Sequence, residues 1–478
     1  MNARQAAGPG PRAGWRVRRV WLEDLSGVER RALVARSAGT GADVRRAARE
    51  IVDAVRAGGD AALRELSSRF GGAWTDGRER GEGGAPADGA DTGTSTDTDA
   101  SAATDASAAA PIRVPPERLR SAADRLAPDL RDALLLMIRN IEAFHRAQVP
   151  PAEQWVDVSP GVRVGRVWRH VDRVGIYVPG GEAAYPSSLL MGIVPAHLAG
   201  VTSIAVASPA ARSGRLSPAL LGAAGLAGVD EFYAMGGAQA IAALAYGTET
   251  VQRVDTIVGP GNTWVTAAKL EVLGDVGIDM PAGPSEVMVV ADRTADPEHV
   301  AADLLSQAEH GPDSAAVLVT PDDGFADLVE AEISRRLPAE PRARFLEASL
   351  ASAGLIVVAR DREDALDFVN EYAPEHLSVA LADAETLLPR IRHAGSVFLG
   401  TYAPESAGDY ATGSNHVLPT GRMARARGPL GVEDFGHWMQ VQVVDRDGLA
   451  SIAPAVAAVA EAEGLVAHRH AVEARFER

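Results

Sequence analysis

Two series of short apolar runs dominate the pattern of hydrophobic and polar positions in the central and C-terminal parts of the chain. The runs are rich in β-branched residues, and Ala-rich stretches with helical spacing separate them. Strands that are apolar at every position are typical of parallel sheets covered by helices on both faces. The runs predict strands within 173–179, 203–209, 231–237 and 256–261, and then within 286–292, 315–321, 355–360 and 396–400. The pattern therefore predicts an α/β protein with two Rossmann-like parallel-sheet domains in tandem.

The segments that flank these series carry mainly helical patterns. Apolar positions recur every three to four residues over 42–70 and over 115–146, which predicts helices in both segments. Residues 164–170 favour a strand that leads into the first series. We expect small helical extensions at the two ends, over 1–31 and over 431–478.

Residues 76–110 have a composition unlike that of the rest of the chain. They contain no Val, Ile, Leu, Met, Phe, Trp or Tyr, and eight acidic residues stand against Arg78 and Arg80. Such a segment cannot bury enough apolar surface to offset the entropy lost on ordering. It predicts a disordered acidic insertion, either a tolerated solvated loop or a functional acidic arm.

Charge and composition exclude several classes of function. The 64 acidic residues outnumber the 47 Lys and Arg residues, so the net charge of −17 disfavours binding to nucleic acid. No apolar run reaches the ~18–20 residues that a membrane span needs. The chain has no cysteine, which excludes disulfides, thiolate metal sites and a thiol nucleophile. The Arg-rich N-terminus lacks the apolar core of a secretory signal, which predicts a cytoplasmic protein.

Three Gly-rich turns follow predicted strands, at 178–181, 236–239 and 259–262. Neither a GxGxxG fingerprint after a strand nor a Walker A sequence is present. Glycines at strand ends let the backbone approach a phosphate or a flat ring closely, and ligands of open α/β sheets lie outside the carboxyl ends of the strands. Each turn taken alone is more simply a tight connection between a strand and a helix that binds nothing.

Nitrogen and oxygen donors cluster at four places in the second half of the chain. Gln307 and His310 lie at i and i+3, on one face of a predicted helix. An acid and a base, Glu375 and His376, lie side by side, and 405–410 is a Gly- and Ser-containing loop with carboxylates. Glu463 and His468 lie in the final helical stretch, and His416 follows the carboxylate loop. These groups are either separate structural residues or one oxygen- and nitrogen-rich site for zinc or a similar metal.

Nine motifs resemble those of the histidinol dehydrogenase family. They extend from about residue 164 to the C-terminus, and the match before that point is weaker. The motifs are GIYVPGG, GGAQAIAALAYGTE, DTIVGPGN, DMPAGPSEV, DLLSQAEHGPDS, YAPEHL, AGSVFLG, PESAGDYATGSNHVLPT and GLVAHRHAV.

The resemblance implies roles for individual residues. It implies zinc ligands at Gln307, His310, Asp409 and His468, and a catalytic acid–base pair at Glu375 and His376. It implies substrate contacts at Ser285, Gln307, His310, His376, Asp409, Glu463 and His468. It implies contacts to NAD at Tyr177, Gln239 and Asn262.

The resemblance also implies a reaction and an assembly. The reaction is the zinc-dependent oxidation of L-histidinol to L-histidine through the aldehyde with two NAD, the last step of histidine biosynthesis. The assembly is a homodimer in which the tail of one subunit, with Glu463 and His468, completes the site of its partner. His416 is expected either to line this site or to have a local structural role.

These expectations lead to a division of the chain into domains. We expect the first α/β domain to be discontinuous and the second to lie on the cofactor side, with a dimer-forming tail. The segments are 32–75, 111–176 and 286–430 for the first domain, 177–285 for the second, and 1–31, 76–110 and 431–478 for the extension, insertion and tail.

Two other functions are compatible with the sequence. One is a related zinc- and NAD-dependent dehydrogenase that acts on another amino alcohol or on a diol. The other is a zinc-binding dimer without catalytic activity, which the intact Glu375–His376 pair disfavours.

Overall fold

The computed structural model describes residues 16–36, 41–70, 74, 111–180 and 184–477. The insertion predicted at 76–110 lies outside these residues. The described residues form two six-stranded sheets and one three-stranded sheet, with helices between the strands. The predicted α/β class is therefore confirmed. None of the described helices is both long and apolar enough to cross a membrane.

The first series of apolar runs forms sheet I, in the strand order β2-β7-β6-β5-β8-β9. All neighbours are parallel except β2, which pairs antiparallel with β7. The strands are β2 (Arg113–Val114), β5 (Arg173–Tyr177), β6 (Ser203–Ser208), β7 (Glu231–Ala234), β8 (Thr256–Val258) and β9 (Gly277–Ile278). The helices of this unit are α2 (Ala42–Phe70), α3 (Pro116–Asp124), α4 (Pro128–Arg146), α5 (Pro186–Ala199), α6 (Pro218–Leu226), α7 (Gly237–Tyr246) and α8 (Thr263–Val272).

The second series forms sheet II, a fully parallel sheet in the order β1-β12-β11-β10-β13-β14. Its strands are β1 (Arg18–Trp21), β10 (Glu286–Ala291), β11 (Ala315–Thr320), β12 (Leu355–Val358), β13 (His376–Ala380) and β14 (Ser396–Leu399). Its helices are α1 (Gly27–Val34), α9 (Pro297–Ala308), α10 (Asp323–Arg336), α11 (Ala343–Ser352), α12 (Arg362–Tyr372), α13 (Ala384–Leu387) and α14 (Glu405–Tyr410).

Both sheets are covered on both faces, which explains why their strands are apolar at every position. In sheet I, Val174 and Ile176 pack into one buried cluster while Tyr177 packs into another. In sheet II, Val287 and Met288 likewise lie in separate clusters. Alternate side chains of a strand point to opposite faces, so each face needs its own apolar set.

The division of the chain between the two units differs from the prediction. The segments 32–75 and 111–176 were expected to join 286–430, yet α2 packs on α7 and α8, α3 on α6, and α4 on α5. Residues 173–176 belong to sheet I through β5. A helical apolar stripe shows that a helix has a partner, but the spacing is the same whichever sheet that partner covers. The predicted N-terminal extension contains β1, which pairs with β12 at the edge of sheet II.

The third sheet and the tail form a separate arm. The predicted strand at 164–170 is confirmed as part of β4 (Val162–His170), which pairs antiparallel with β3 (Glu153–Ser159) and β15 (Gly436–Val444). The tail is therefore not purely helical, because it contains β15, which pairs with β4, a strand far earlier in the chain. Two helices follow and pack against each other, α15 (Arg446–Ala462) and α16 (Val466–Glu473).

Candidate active site

A cavity of about 430 Å³ lies between the two parallel sheets. Sheet I contributes the turns after β5 and β8, including Pro260 and Asn262. Sheet II contributes residues that come just before its strands, including Ser285, Ser314 and Glu375. The cavity thus lies at the carboxyl ends of strands in sheet I, where ligands were expected, but at the amino ends of strands in sheet II. Residues 279–285 join the end of β9 to the start of β10, so at this connection the carboxyl edge of one sheet faces the amino edge of the other.

Glu375 and His376 are held by the first residue of β10. The carboxylate Oε2 of Glu375 accepts hydrogen bonds from the backbone N–H of Glu286 at 2.7 Å and from the hydroxyl of Ser285 at 2.9 Å. The ring Nδ1 of His376 lies 3.1 Å from the carbonyl oxygen of Glu286. The amino edge of a parallel sheet presents backbone N–H groups, which suit a carboxylate. Both side chains are buried, and the His376 ring stacks on Phe398.

Gln307 and His310 lie at the end of α9, which returns the chain from β10 to the cavity. Gln307 is fully buried, and its Oε1 is 3.4 Å from the hydroxyl of Ser285. His310 follows the helix and lines the cavity. Only Gln307 lies within the helix, so the prediction of both residues on one helical face is wrong for His310, which lies two residues beyond the end of α9.

Asp409 and Glu405 lie one turn apart on the short helix α14. One donor atom each from His310, Glu405 and Asp409 fall within 4.8 Å of one another, which is close enough to hold a metal ion. Glu405 was not among the site residues inferred from the sequence, although it lies in the carboxylate loop noted there. Its i, i+4 spacing from Asp409 was the available signal, since that spacing puts two carboxylates on one helical face.

Three carboxylates surround the imidazole of His376. Its Nδ1 lies 3.6 Å from Glu375 and 3.5 Å from Glu405, and its Nε2 lies 3.8 Å from Asp409. Burial alone lowers the pKa of this ring, but the carboxylates outweigh burial and raise the pKa of His376 to about 10. Burial, with the neighbouring carboxylates, raises the pKa of Glu405 to about 8. The site therefore favours additional positive charge.

Several buried polar atoms at this site have no hydrogen-bond partner among the described residues. They are Nε2 of Gln307, Nε2 of His376 and Oε2 of Glu405. Buried polar groups are nearly always paired, so unpaired ones that converge beside a cavity indicate a bound partner. Imidazole, carboxylate and amide donors without sulfur fit zinc or a similar divalent ion.

His416 and the residues expected to contact the cofactor differ in whether they line the cavity. His416 lines the cavity, with its Nε2 3.0 Å from the hydroxyl of Ser188, and burial lowers its pKa. Asn262 also lines the cavity and caps α8, since its Oδ1 accepts hydrogen bonds from two backbone N–H groups. Tyr177 and Gln239 are buried beneath this surface, where the Tyr177 hydroxyl accepts a hydrogen bond from the backbone N–H of Gly237.

Glu463 and His468 are not brought to the cavity by their own chain. Glu463 follows α15 and His468 lies in α16, and both are exposed on the arm. Neither is among the residues that line the cavity. The other expected substrate and metal residues lie at or beside the cavity, namely Ser285, Gln307, His310, His376 and Asp409.

Comparison with known proteins identifies the family. The model of the family described as histidinol dehydrogenase matches residues 90–476. A histidinol dehydrogenase from Halobacterium salinarum is 47% identical over 458 residues, which cover 95% of this chain and 98% of that protein. One from Rhizobium meliloti is 45% identical over 434 residues, covering 91% and 92% of the two chains. The crystal structure of a histidinol dehydrogenase from Elizabethkingia anophelis has a TM-score of 0.84 at 35% identity and covers 98% of this chain and 99% of that one. The chain belongs to the histidinol dehydrogenase family.

Proposed function

We propose that the protein oxidises L-histidinol to L-histidine through L-histidinaldehyde, with two NAD and one water, in the cytoplasm as the last step of histidine biosynthesis. The single observation that carries the proposal is the convergence of an acid–base pair with metal-ligating groups around one cavity. The names of the similar proteins agree with this substrate.

Zinc fits the donors at the cavity. Gln307, His310 and Asp409 would hold it, and the carboxylate of Glu405 lies within the same cluster. Bound zinc would supply a positive charge that orients the imidazole and amine of histidinol, both of which are good zinc donors. NAD would accept the hydride, with Tyr177, Gln239 and Asn262 as the residues that contact it.

His376 is the base that removes the alcohol proton. With its Nδ1–H donating to the carbonyl of Glu286, the free nitrogen is Nε2, which is buried and unpaired. Positive charge from a bound divalent ion and a cationic substrate would oppose the three carboxylates and lower the pKa of His376 from this raised value. The ring can then accept a proton as hydride leaves the substrate, and it can act again in the second oxidation.

Glu375 activates the water that adds to the aldehyde. The chain has no cysteine, so the second oxidation cannot pass through a thiohemiacetal and requires a hydrated aldehyde. Glu375 is fixed by two hydrogen bonds beside His376, which places a carboxylate where a water bound next to the substrate could lose its proton. The hydrated aldehyde then loses hydride to NAD and two protons to the site and solvent, which gives the carboxylate of histidine.

The protein forms a homodimer in which each arm completes the partner's site. Glu463 and His468 lie on an arm whose two helices pack chiefly on each other, and both side chains are exposed in the single chain. Exchange of such an element between protomers is a low-cost route to a dimer. The partner subunit's His468 would then be the fourth zinc ligand, and the partner subunit's Glu463 would contact the substrate.

NADH absorbance during turnover of histidinol tests the proposal. The zinc-loaded protein should form two NADH for each histidinol consumed, lose activity on chelation and regain it with zinc. The chelated protein should keep its far-UV circular dichroism, because the ligands lie on helix ends around two large independent cores. His376→Asn should lose about 10²–10⁴-fold in activity, whereas His197→Asn, an exposed site on α5, should keep wild-type activity. No NADH from the zinc-loaded protein would refute the function, and unfolding on chelation would make the metal structural.

A further inference from the structure

A buried ion pair lies directly beneath the turn that carries Asn262. Lys269 on α8 and Asp279 after β9 are 2% and 1% exposed at their side chains. The ammonium of Lys269 donates to the carboxylate of Asp279 and, at 3.0 Å, to the carbonyl oxygen of Gly259. The other carboxylate oxygen of Asp279 accepts a hydrogen bond at 2.7 Å from the backbone N–H of Gly259. The pair therefore binds both polar backbone groups of one glycine.

On the side away from the ion pair, Gly259 packs closely against the end of β5. Its φ of +113° is strained for a residue with a side chain, and a Cβ there would lie 2.1 Å from the carbonyl oxygen of Tyr177. The glycine is thus enclosed by the end of β5 on one side and by the ion pair on the other. The following residues, 260–262, line the cavity opposite His376.

Asp279 also connects this turn to the substrate side of the cavity. Its Oδ1 accepts a hydrogen bond from the backbone N–H of Met280 at 2.6 Å, at the start of the segment that crosses to sheet II. The same segment is fixed to α8 by the hydroxyl of Thr266, which donates to the carbonyl of Ala282 at 2.6 Å. It ends at Ser285, which contacts Glu375. The pair therefore lies where the cofactor turn and the acid–base residues are linked.

The energetics favour a role in geometry over one in stability. The cost of removing two charges from water largely cancels the attraction between them, so a buried ion pair contributes little net stability. Such a pair instead fixes local geometry, because each charged group must keep hydrogen bonds to a specific set of partners. Here that set is the backbone of the Gly259 turn.

We propose that Lys269 and Asp279 are positioning residues that hold the Gly259–Asn262 turn in the geometry that binds the nicotinamide cofactor beside the substrate. The proposal rests on the proposed function, since it takes this turn as part of the NAD site. Neither residue contacts the reacting atoms, so both act through the backbone of the turn.

The test is a double substitution with a matched control. Lys269→Met with Asp279→Asn removes both charges together and keeps an acceptor for the backbone N–H of Gly259. The control is Arg173→Met with Glu231→Gln, which removes a mostly buried ion pair at the amino ends of strands in the same sheet, away from the cavity. We expect kcat/KM for NAD to fall about 10- to 100-fold through KM in the first variant, with KM for histidinol and zinc content unchanged. The control should leave both KM values unchanged. A normal KM for NAD in the first variant, or the same kinetic changes in both variants, would overturn the proposal.

Hydrogen exchange of the wild-type protein provides a measurement that does not depend on the variant's folding. If the pair holds the turn in place, the amide of Gly259 should exchange as slowly as the amides of β8 in the absence of NAD. Fast exchange that slows only when NAD is added would also overturn the proposal. This measurement tests the positioning role separately from the proposed function. If the wild-type protein does not oxidise histidinol but its Gly259 amide is protected, the proposed function is contradicted and the positioning role is not.

Discussion

Glu375→Gln should separate the two oxidations. The amide has nearly the same shape as the carboxylate, and its oxygen can still accept the hydrogen bonds from Ser285 and from the backbone of Glu286. The side chain should therefore keep its place beside His376. What it loses is the negative charge and the capacity to take a proton from water.

The size of the effect follows from that difference. A positioned general base contributes about 10²–10⁴-fold, so we expect a loss of this size in the oxidation of the aldehyde, which needs an added water. This factor corresponds to about 3–5 kcal/mol of transition-state stabilisation. The oxidation of the alcohol adds no water and should lose far less. His376→Asn should slow both steps by a similar factor, since each step releases a proton to the ring.

The assay supplies histidinol and histidinaldehyde separately and follows NADH in each case. For Glu375→Gln the reaction that starts from histidinol should accumulate aldehyde, which trapping with a carbonyl reagent detects. Zinc content and melting temperature, measured alongside, should match those of the wild-type protein. An equal loss in the two half-reactions would rule out the water-activating role of Glu375.

Three further perturbations test the arm, the insertion and the ion pair of Arg173 and Glu231. Chains with His468→Ala and His310→Ala, each inactive as a homodimer, should recover up to about half of the wild-type activity when a heterodimer is isolated through two tags, since one of its two sites is then intact; a zinc-loaded heterodimer with no recovery would show that the arm does not serve the partner. Replacing 76–110 with a short linker should leave activity and melting temperature nearly unchanged, because that segment has no core-forming residue and loop length costs little entropy; a large drop in either would contradict this. The guanidinium of Arg173 lowers the pKa of the neighbouring Glu231 to about 2. The ionised carboxylate therefore stabilises the folded state above pH ~4.5, the usual pKa of a glutamate, by about 3 kcal/mol at most. This contribution is lost as the pH falls from ~4.5 toward 2. Glu231→Gln should therefore flatten the acid side of the urea-unfolding profile, and an unchanged acid slope would refute the assignment.

The strands were predictable because their signal is local. Each apolar run in 173–261 and in 286–400 forms a strand of the expected sheet, since a strand buried on both faces needs apolar residues at every position. Several strands outside these runs were not predicted, among them the edge strand β1 and the strand β15. β15 lies in a segment where exposed and half-buried positions alternate, and its partner β4 is distant in sequence.

The site was predictable in part, and for a different reason. Motif resemblance placed Ser285, Gln307, His310 and the Glu375–His376 pair, and the structure puts all of them at one edge of sheet II. Glu405 was missed because its importance comes from burial and from its distance to His376, neither of which spacing alone shows.

The sequence by itself determined the class of fold, the two series of strands and the chemical types available to the site. These properties depend on which residues are neighbours along the chain and on their periodicity. Only the tertiary structure decided that α2, α3 and α4 cover sheet I, that the amino edge of sheet II faces the carboxyl edge of sheet I, and that Lys269 and Asp279 enclose Gly259. Those arrangements depend on contacts between segments far apart in sequence, and a helical stripe or a single charge is compatible with many such partners until the chain has packed.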